Sequence, residues 1–412
     1  MIGNHMPRLR VNVPLWLESS SRPRRVRFPS LNRDHEVDIA VIGGGITGAA
    51  VAWRFADAGL AVAVVEGRAV GRGSTAASSA LLMQEPDEDF VRLARRYGGR
   101  RAKRIWQLSR QATRDLVRTL ERLRIACDLR RRDSVYYAPT GSDARQLRTE
   151  HQRRTAAGVG GRWLDSPAAS HVLGFQAAAA IRTTGNAQID PYKACVGLMH
   201  AAARAGALIF ERSPIDAIRH SRTGVVLEAA RGRIRADRVV IATGYATPYF
   251  KPLKARFRML NTYMIATRPM TPKERRRIGL AAVMQWDTGR PYHYARWTPD
   301  HRLLLGGGDR PLVAERQREQ ALREGSSSVH QHFLGLYPAL VDTPLQYAWE
   351  GLFATTPDGL PYIGPHRRYP RHLFALGYGG NGMTFGFLAA RLLLDWYRGD
   401  RSEDHRLFAF TR

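Results

Sequence analysis

Cysteine and lysine are both scarce in this sequence. Cys127 and Cys195 are the only cysteines in 412 residues, too few for a disulfide framework or a cysteine-based metal cluster. We therefore expect a reducing compartment, the cytoplasm, and predict no metal site. Lysine occurs only five times, so arginine supplies nearly all of the 64 basic residues.

Long apolar runs are also missing. No stretch of about 18 apolar residues occurs, which argues against a membrane-spanning helix. The apolar stretch at residues 11–17 is too short for a secretory signal, although an arginine-rich transit peptide stays open. Met6 is an alternative start.

Acidic residues are too few to balance the basic ones, and the net charge is +28. The arginines are spread along the chain, which suggests codon bias as much as a selected surface. Nucleic-acid binding stays a minor alternative because no recognition motif accompanies the charge. The hydrophobic content of 44% is ordinary for a globular protein, and the length allows two domains.

The sequence does contain a complete β-α-β pattern at residues 36–66. A short apolar run at residues 38–42 leads into Gly43, Gly45 and Gly48, which form the motif GxGxxG before a helix rich in small residues. The first glycine allows a tight turn, the second lets the backbone approach a diphosphate, and the third lets the helix pack on the sheet. The helix N-terminus supplies free N–H groups for phosphate.

A second apolar strand, at residues 60–65, ends in Glu66. An acid about 20 residues beyond the first glycine is expected to bind a ribose hydroxyl. Its charge would repel a 2′-phosphate, so the motif favours a dinucleotide other than NADP. A glycine-rich turn that serves packing alone is the alternative.

Small and hydroxyl residues then form a loop at residues 67–80. GGGITG, Glu66 and GSTAASSALL together resemble the FAD-dependent oxidoreductases of the D-amino-acid oxidase and glycine oxidase family. The resemblance implies an α/β fold with a Rossmann-type, GR2-like FAD-binding domain and an interleaved α+β substrate domain. Residues 74–79 contain no histidine or cysteine for a covalent flavin bond, so the predicted FAD is noncovalent.

Near the C-terminus, an apolar strand at residues 373–376 precedes a glycine-rich turn and a helix at residues 383–397. The resemblance implies that this helix N-terminus stabilises the negative charge of a reduced flavin. The resemblance also implies that the end of a strand, at residues 242–244, contacts the cofactor. The predicted cofactor-binding residues are Gly43, Gly45, Ile46, Thr47, Gly48, Glu66, Gly67, Arg68, Gly73, Ser74, Thr75, Ala76, Leu81, Ile215, Thr243, Gly244, Gly379, Gly380, Asn381, Gly382, Met383 and Thr384.

The domains are expected to interleave along the chain, with the N-terminal arm packing over the first domain. Periodicity predicts a helical region at residues 90–125 and strands at 215–219, 225–229 and 239–242. The predicted segments are an N-terminal arm (1–35), three parts of the FAD-binding domain (36–90, 186–250 and 346–412), a mostly helical and substrate-domain segment (91–185) and the substrate domain (251–345).

The resemblance implies oxidation of an amine or amino acid, with hydride transfer to flavin N5 and hydrolysis of the imine. Tyr263, Arg296 and Tyr378 are the predicted substrate contacts. Alternation places Tyr292, Tyr294 and Arg296 on one strand face, which could line a pocket or a domain interface.

Two departures from the family pattern concern the substrate and the electron acceptor. Amino-acid oxidases of this family often carry arginine where this chain has Phe353, so a substrate carboxylate would need Arg296, Arg290 or another partner. The strand at residues 303–305 lacks the lysine that the sarcosine oxidase branch uses with oxygen, which leaves the electron acceptor open.

Two other functional classes stay open. One is an NAD-dependent dehydrogenase with a nicotinamide pocket. The other is a noncatalytic flavin-binding module that holds a partner on its basic surface. The oligomeric state is not predicted.

Overall fold

The computed structural model describes residues 8–18 and 28–412. The alternative start Met6 and the arm segments 1–7 and 19–27 lie outside the described residues. The helices are α1 (Leu15–Glu18), α2 (Ile46–Asp57), α3 (Ser74–Ala77), α4 (Phe90–Tyr97), α5 (Gly99–Arg122), α6 (Gly141–Ala156), α7 (Ser166–Leu173), α8 (Pro191–Arg204), α9 (Pro272–Ile278), α10 (Arg318–Leu336), α11 (Gly382–Tyr397) and α12 (Glu403–Leu407). Short 3₁₀ helices span Pro248–Arg256, Glu315–Gln317 and Pro338–Asp342.

The strands form two sheets. They are β1 (Arg10–Val11), β2 (His35–Ile42), β3 (Val62–Val65), β4 (Leu81–Leu82), β5 (Arg130–Ala138), β6 (Arg162–Leu164), β7 (Ala179–Gln188), β8 (Leu208–Phe210), β9 (Ala217–His220), β10 (Val225–Ala229), β11 (Gly232–Gly244), β12 (Arg258–Thr267), β13 (Met284–Asp287), β14 (His293–Trp297), β15 (Leu303–Pro311), β16 (Leu345–Thr355), β17 (Tyr362–His366) and β18 (Tyr369–Leu376).

The smaller sheet has the order β17-β18-β11-β2-β3-β8, with β9 and β10 extending from β11. The strands from β18 to β8 pair in parallel. Their apolar sequences follow from burial on both faces. Helices α2, α8 and α11 pack together on one face, where Val41, Phe55 and Leu388 belong to one apolar core.

The larger sheet has the order β1-β16-β12-β15-β14-β13-β5-β7-β4, with β6 paired to β7. Its pairs are antiparallel except for β13 with β5. Helix α10 packs against β12, β15 and β16, and Tyr263, Leu305 and Phe333 lie in the core between them. A parallel nucleotide-binding type of sheet with an interleaved second sheet matches the predicted fold class.

The sheet pairing of two strands differs from the domain segment in which each strand is predicted to lie. Strand β16 begins at Leu345 but pairs in the larger sheet, so the chain re-enters the smaller sheet at Tyr362 and not at residue 346. Strand β4, within the predicted first FAD segment, also pairs in the larger sheet. The full division into six segments stays a prediction.

The described part of the N-terminal arm contacts both sheets. Strand β1 pairs with β16, and Leu15, Trp16 and Leu17 are buried at the larger sheet. Phe28 and Leu31 pack in the apolar cores of the smaller sheet. The described residues 8–18 thus add a strand to the edge of the larger sheet, and they also contact the loop of the predicted first FAD segment through Arg72 and Ser78. The expected placement of the whole arm over the first domain stays a prediction.

Two predicted elements have different lengths in the structure. The helical region at residues 90–125 is two helices, separated at Gly98, whose φ of +81° ends α4. The expected strand at residues 239–242 is the end of the longer β11, which pairs with β2 from residue 234 onward. Among residues 8–18 and 28–412, no helix is both long and apolar enough to cross a membrane.

Candidate functional site

The site begins at the glycine turn between β2 and α2. Gly43 has a φ of +112°, and a Cβ there would lie 2.7 Å from the carbonyl oxygen of Ala242 on β11. A Cβ on Gly48 would lie 1.9 Å from the carbonyl oxygen of Gly43. Glycine is thus required for the turn and for close packing of α2, whose first residue is Ile46.

Glu66 follows β3 and lies beside the same turn. Its Oε2 accepts the backbone N–H of Gly44 at 2.7 Å, and its Oε1 accepts that of Arg68 at 2.8 Å. Burial raises the pKa of this carboxyl group. Each oxygen keeps a lone pair for a ribose hydroxyl, so the orientation of the acid is fixed while its acceptor capacity remains.

The loop of small residues after β3 closes over the turn. The backbone N–H of Ile46 donates to Oγ1 of Thr75 at 3.0 Å, and that of Gly71 donates to the carbonyl of Gly44 at 2.9 Å. Oγ of Ser74 donates to the carbonyl of Leu352 on β16 at 2.6 Å. The loop therefore joins the two sheets at the glycine turn.

The C-terminal glycine-rich turn lies at the other end of the site from Glu66. Nδ2 of Asn381 donates to the carbonyl of Glu85 at 2.7 Å, whereas its Oδ1 is buried without a hydrogen-bond partner among the described residues. Gly380 donates its backbone N–H to Asp87. Helix α11 starts at Gly382 with its N-terminus facing this end.

Between the sheets lies an open cavity of about 1140 Å³. It runs from Glu66 past the glycine turn to the C-terminal turn, and its size suffices for a dinucleotide and a small substrate. The buried, unpartnered oxygen of Asn381 and the glycine walls, where side chains would intrude, fit a bound dinucleotide.

The end of the cavity nearest α11 is lined by acids and aromatic rings. Asp87 and Asp309 lie there with Thr262, Tyr292 and Tyr294. Burial raises the pKa of Asp87 to about 7, and Asp309 adds to the rise. Burial also raises the pKa of Asp309 to about 6. Oδ1 of Asp309 is buried without a hydrogen-bond partner in the described part of the chain.

Most of the predicted cofactor residues line this cavity. They are Gly43, Gly45, Ile46, Thr47, Glu66, Gly67, Arg68, Gly73, Ser74, Thr75, Leu81, Ile215, Thr243, Gly244, Gly379, Gly380, Asn381, Gly382 and Met383. Gly48, Ala76 and Thr384 do not line it. Gly48 and Ala76 are packing positions, and Thr384 donates its hydroxyl to the carbonyl of Met83 at 2.8 Å.

Of the predicted substrate contacts, only Tyr378 lines the cavity. Tyr263 is fully buried in the core under α10. Arg296 donates to the carbonyls of Ser79 and Ile189, each at 2.9 Å, and its guanidinium lies over the Trp16 ring. Neither reaches the cavity, so both expectations are corrected. Alternation gave Arg296 the same face as Tyr294, but the arm covers that end of the strand.

Sequence reasoning missed Asp87, Asp309 and the cavity-lining residues 8–13 of the arm. Asp309 follows three glycines at the end of an apolar strand, a signal that could have been noticed. Asp87 and the arm carry no comparable pattern. No histidine or cysteine of the described residues lines the cavity, and noncovalent attachment of the cofactor stays a prediction.

Comparison with known proteins covers nearly the whole chain. The family model DAO, described as FAD dependent oxidoreductase, matches residues 38–396. Gamma-glutamylputrescine oxidoreductase of Escherichia coli K12 is 26% identical over 396 residues, covering 93% of this chain and 88% of that protein. Glycine oxidase of Geobacillus kaustophilus is 26% identical over 389 residues, covering 92% and 97%.

Solved structures show the same fold. The crystal structure of glycine oxidase from Geobacillus kaustophilus superimposes with a TM-score of 0.75 at 24% identity, covering 92% of this chain and 99% of that one. An L-amino acid deaminase from Proteus vulgaris has a TM-score of 0.76 at 15% identity, covering 94% and 99%.

Proposed function

The chain belongs to the DAO family of FAD-dependent oxidoreductases, and from that premise we propose that it oxidises the C–N bond of an amine whose ammonium group Asp87 and Asp309 hold. FAD fills the long part of the cavity in this proposal, with its ribose at Glu66 and its diphosphate at the glycine turn. The cavity-lining residues named above are the proposed ligands.

The pair of carboxyl groups is the observation that carries this proposal. The charge of Asp309 disfavours ionisation of Asp87, and both residues are half-buried where they line the cavity. One oxygen of Asp309 has no protein partner in the described chain. A substrate ammonium between them would supply hydrogen-bond donors and the missing positive charge.

The walls around the acids suit a cation as well. Tyr292 and Tyr294 lie 6.0 Å apart between ring centroids, and Tyr136 stacks on Trp286 at 5.0 Å, all at the cavity. Faces of such rings attract cations. Phe353 also lines the cavity, where many amino-acid oxidases of the family carry arginine.

One of the two acids can also accept a proton during the reaction. When bound, FAD supplies the two-electron acceptor for the hydride that leaves the carbon next to nitrogen. The nitrogen needs its lone pair to form the C=N bond, so the bound ammonium must first lose a proton. A carboxylate within hydrogen-bond reach of the ammonium group can accept that proton as a general base. The imine is then hydrolysed by water.

A second candidate is oxidation of an amino acid with its carboxylate on Arg290. This side chain lines the cavity and lies over the Tyr292 ring. It is 3.7 Å from Asp89 and 40% exposed, so it could turn toward a substrate. The names of the two relatives quoted above include an amine derivative and an amino acid, which supports both candidates.

Anaerobic titration of the purified holoenzyme tests the proposal. Bleaching of the flavin absorption by diamines or polyamine derivatives, and not by glycine, sarcosine, proline or D-amino acids, is the expected result. Asp309→Asn should raise KM for the amine by about 10-fold or more, because it removes a charged hydrogen-bond partner. Asp342→Asn, at an exposed side chain, is the matched control.

The opposite result would favour the second candidate. Bleaching by amino acids alone, together with a raised KM in Arg290→Leu and an unchanged KM in Asp309→Asn, would assign the substrate carboxylate to Arg290 and contradict the amine proposal.

The electron acceptor and the location are proposed separately. Oxygen and another acceptor are both retained, and the rate at which the reduced enzyme reoxidises in air separates them. A cytoplasmic location is proposed because Cys127 and Cys195 are both free, buried thiols.

A further inference from the structure

The N-terminal arm, residues 8–18, forms a wall of the cofactor cavity. Its residues 8–13 all line the cavity. Strand β1 places Arg10 opposite Gly351 of β16, and the backbone N–H of Leu352 donates to the carbonyl of Leu9 at 3.0 Å. The arm is thus held as an added strand at the edge of the larger sheet.

The other side of the arm contacts the loop that closes the glycine turn. Nε of Arg10 donates to the carbonyl of Arg72 at 3.0 Å, and the indole N–H of Trp16 donates to the carbonyl of Ser78 at 2.9 Å. Leu9 packs against Gly73 so closely that a Cβ there would lie 2.6 Å from Cδ1 of the leucine. The arm therefore contacts this loop at Arg72, Gly73 and Ser78.

The loop residues that Arg10 contacts are next to the phosphate-binding turn. Gly71 donates its N–H to the carbonyl of Gly44, and Thr75 accepts the N–H of Ile46. Arg72 lies in the sequence between Gly71 and Thr75, the two residues that form these hydrogen bonds. Since the diphosphate of a dinucleotide binds at such a turn, Arg10 lies at the part of the cavity that receives it.

Three arginines bring positive charge to this part of the cavity. Arg10, Arg68 and Arg72 all line the cavity. Burial, followed by the charges of Arg72 and Arg68, lowers the pKa of Arg10. Nε of Arg72 is buried and has no hydrogen-bond partner among the described residues. A diphosphate would supply both the negative charge and the acceptors.

We propose that Arg10 is a ligand of the FAD diphosphate, contributed by the N-terminal arm from outside the nucleotide-binding sheet. Arg318 helps to hold the arm in place, because its guanidinium donates to the carbonyl of Arg8. This proposal does not depend on which amine or amino acid is oxidised.

Ligand binding to the apoprotein tests the proposal without any turnover. Kd would be measured by calorimetry for FAD, for ADP, which has the diphosphate without the flavin, and for riboflavin, which has the flavin without phosphate. Arg10→Met should raise Kd for FAD and ADP by about 10-fold and leave riboflavin unchanged, because a charged hydrogen-bond partner of the diphosphate is lost. Arg10→Lys should recover part of the ADP affinity.

Arg110→Met is the matched control, since this arginine is exposed on α5. Arg10→Gln is a second variant, expected to show the same selective loss if the methionine variant does not fold. An unchanged Kd for ADP would overturn the proposal. An equal loss for ADP and riboflavin would also overturn it, because the arm would then only shape the cavity.

Discussion

At the scale of single residues, Asp87 and Asp309, at the end of the cavity nearest α11, stand out by their raised pKa values. Asp87 is affected by Asp309 and Glu88, which raise its pKa, and by Arg290, which lowers it. For Asp309, burial is the largest effect and raises the pKa, whereas a hydrogen bond with Thr262 and the charge of His293 lower it. Both groups are therefore partly protonated near neutral pH. A bound cation would lower their pKa values and favour the charged carboxylates.

The pH dependence of cation binding follows from these two pKa values. A raised pKa means that each carboxyl group is neutral below it and charged above it, so affinity for a cation should increase as pH rises through about 6 to 7. A small quaternary ammonium inhibitor has no proton of its own to lose. Its Ki should fall severalfold between pH 5 and pH 8.

The variant Asp309→Asn should flatten this profile, because one member of the coupled pair no longer titrates. Asp342→Asn should leave it unchanged. A Ki that is constant from pH 5 to pH 8 in the unmodified enzyme would show that the acids do not hold the cation.

At the scale of elements, the turn between β2 and α2 depends on the absence of side chains. Gly48 has an ordinary helical backbone, and its requirement for glycine comes only from contact with the carbonyl of Gly43. Gly335 is also within a helix, α10, but has open space around it and is exposed. Alanine substitution at these two positions therefore distinguishes the effect of helix propensity from the effect of a steric clash with a neighbouring backbone.

Gly48→Ala should destabilise the protein by about 1–3 kcal/mol and weaken FAD binding, because the backbone must shift to admit a methyl group. Gly335→Ala should stabilise it by up to about 1 kcal/mol, because alanine is the better helix former. Urea unfolding and FAD titration measure both. If Gly48→Ala binds FAD normally, close packing of α2 on the turn is not needed for the cofactor.

At the scale of the whole molecule, a buried ion pair connects the arm, α10 and β16. Arg318 and Glu350 have fully buried side chains, and the guanidinium donates to both carboxylate oxygens. Removing one partner leaves an uncompensated charge in the interior. By contrast, most arginines that produce the net charge of +28 are spread over exposed positions.

Arg318→Met alone should lower the free energy of unfolding by about 3–5 kcal/mol, and adding Glu350→Gln should recover part of the loss because the orphaned charge is removed. Urea unfolding provides the measurement. Arg406→Met, at an exposed pair with Glu403, should have little measurable effect. A double variant as unstable as the single one would mean that the loss comes from packing.

The sequence determined the local features whose physics is local. The glycine spacing, the acid after β3 and the continuous apolar runs predict the turn, the position of Glu66 beside it and the parallel strands β2 and β3, because each depends on backbone conformation or on neighbours within one β-α-β unit. The resemblance in the two glycine-rich ends extended this to the flavin.

Only the tertiary structure decided which side chains face the cavity, because that depends on contacts between distant segments. Arg296 has the expected strand face, yet Trp16 of the arm covers it. Asp87 and Asp309 are more than 200 residues apart in sequence and meet only when the two sheets pack. Arg10 lies near the glycine turn because β1 pairs with β16. A strand of two residues is too short for this pairing to be predicted from the sequence.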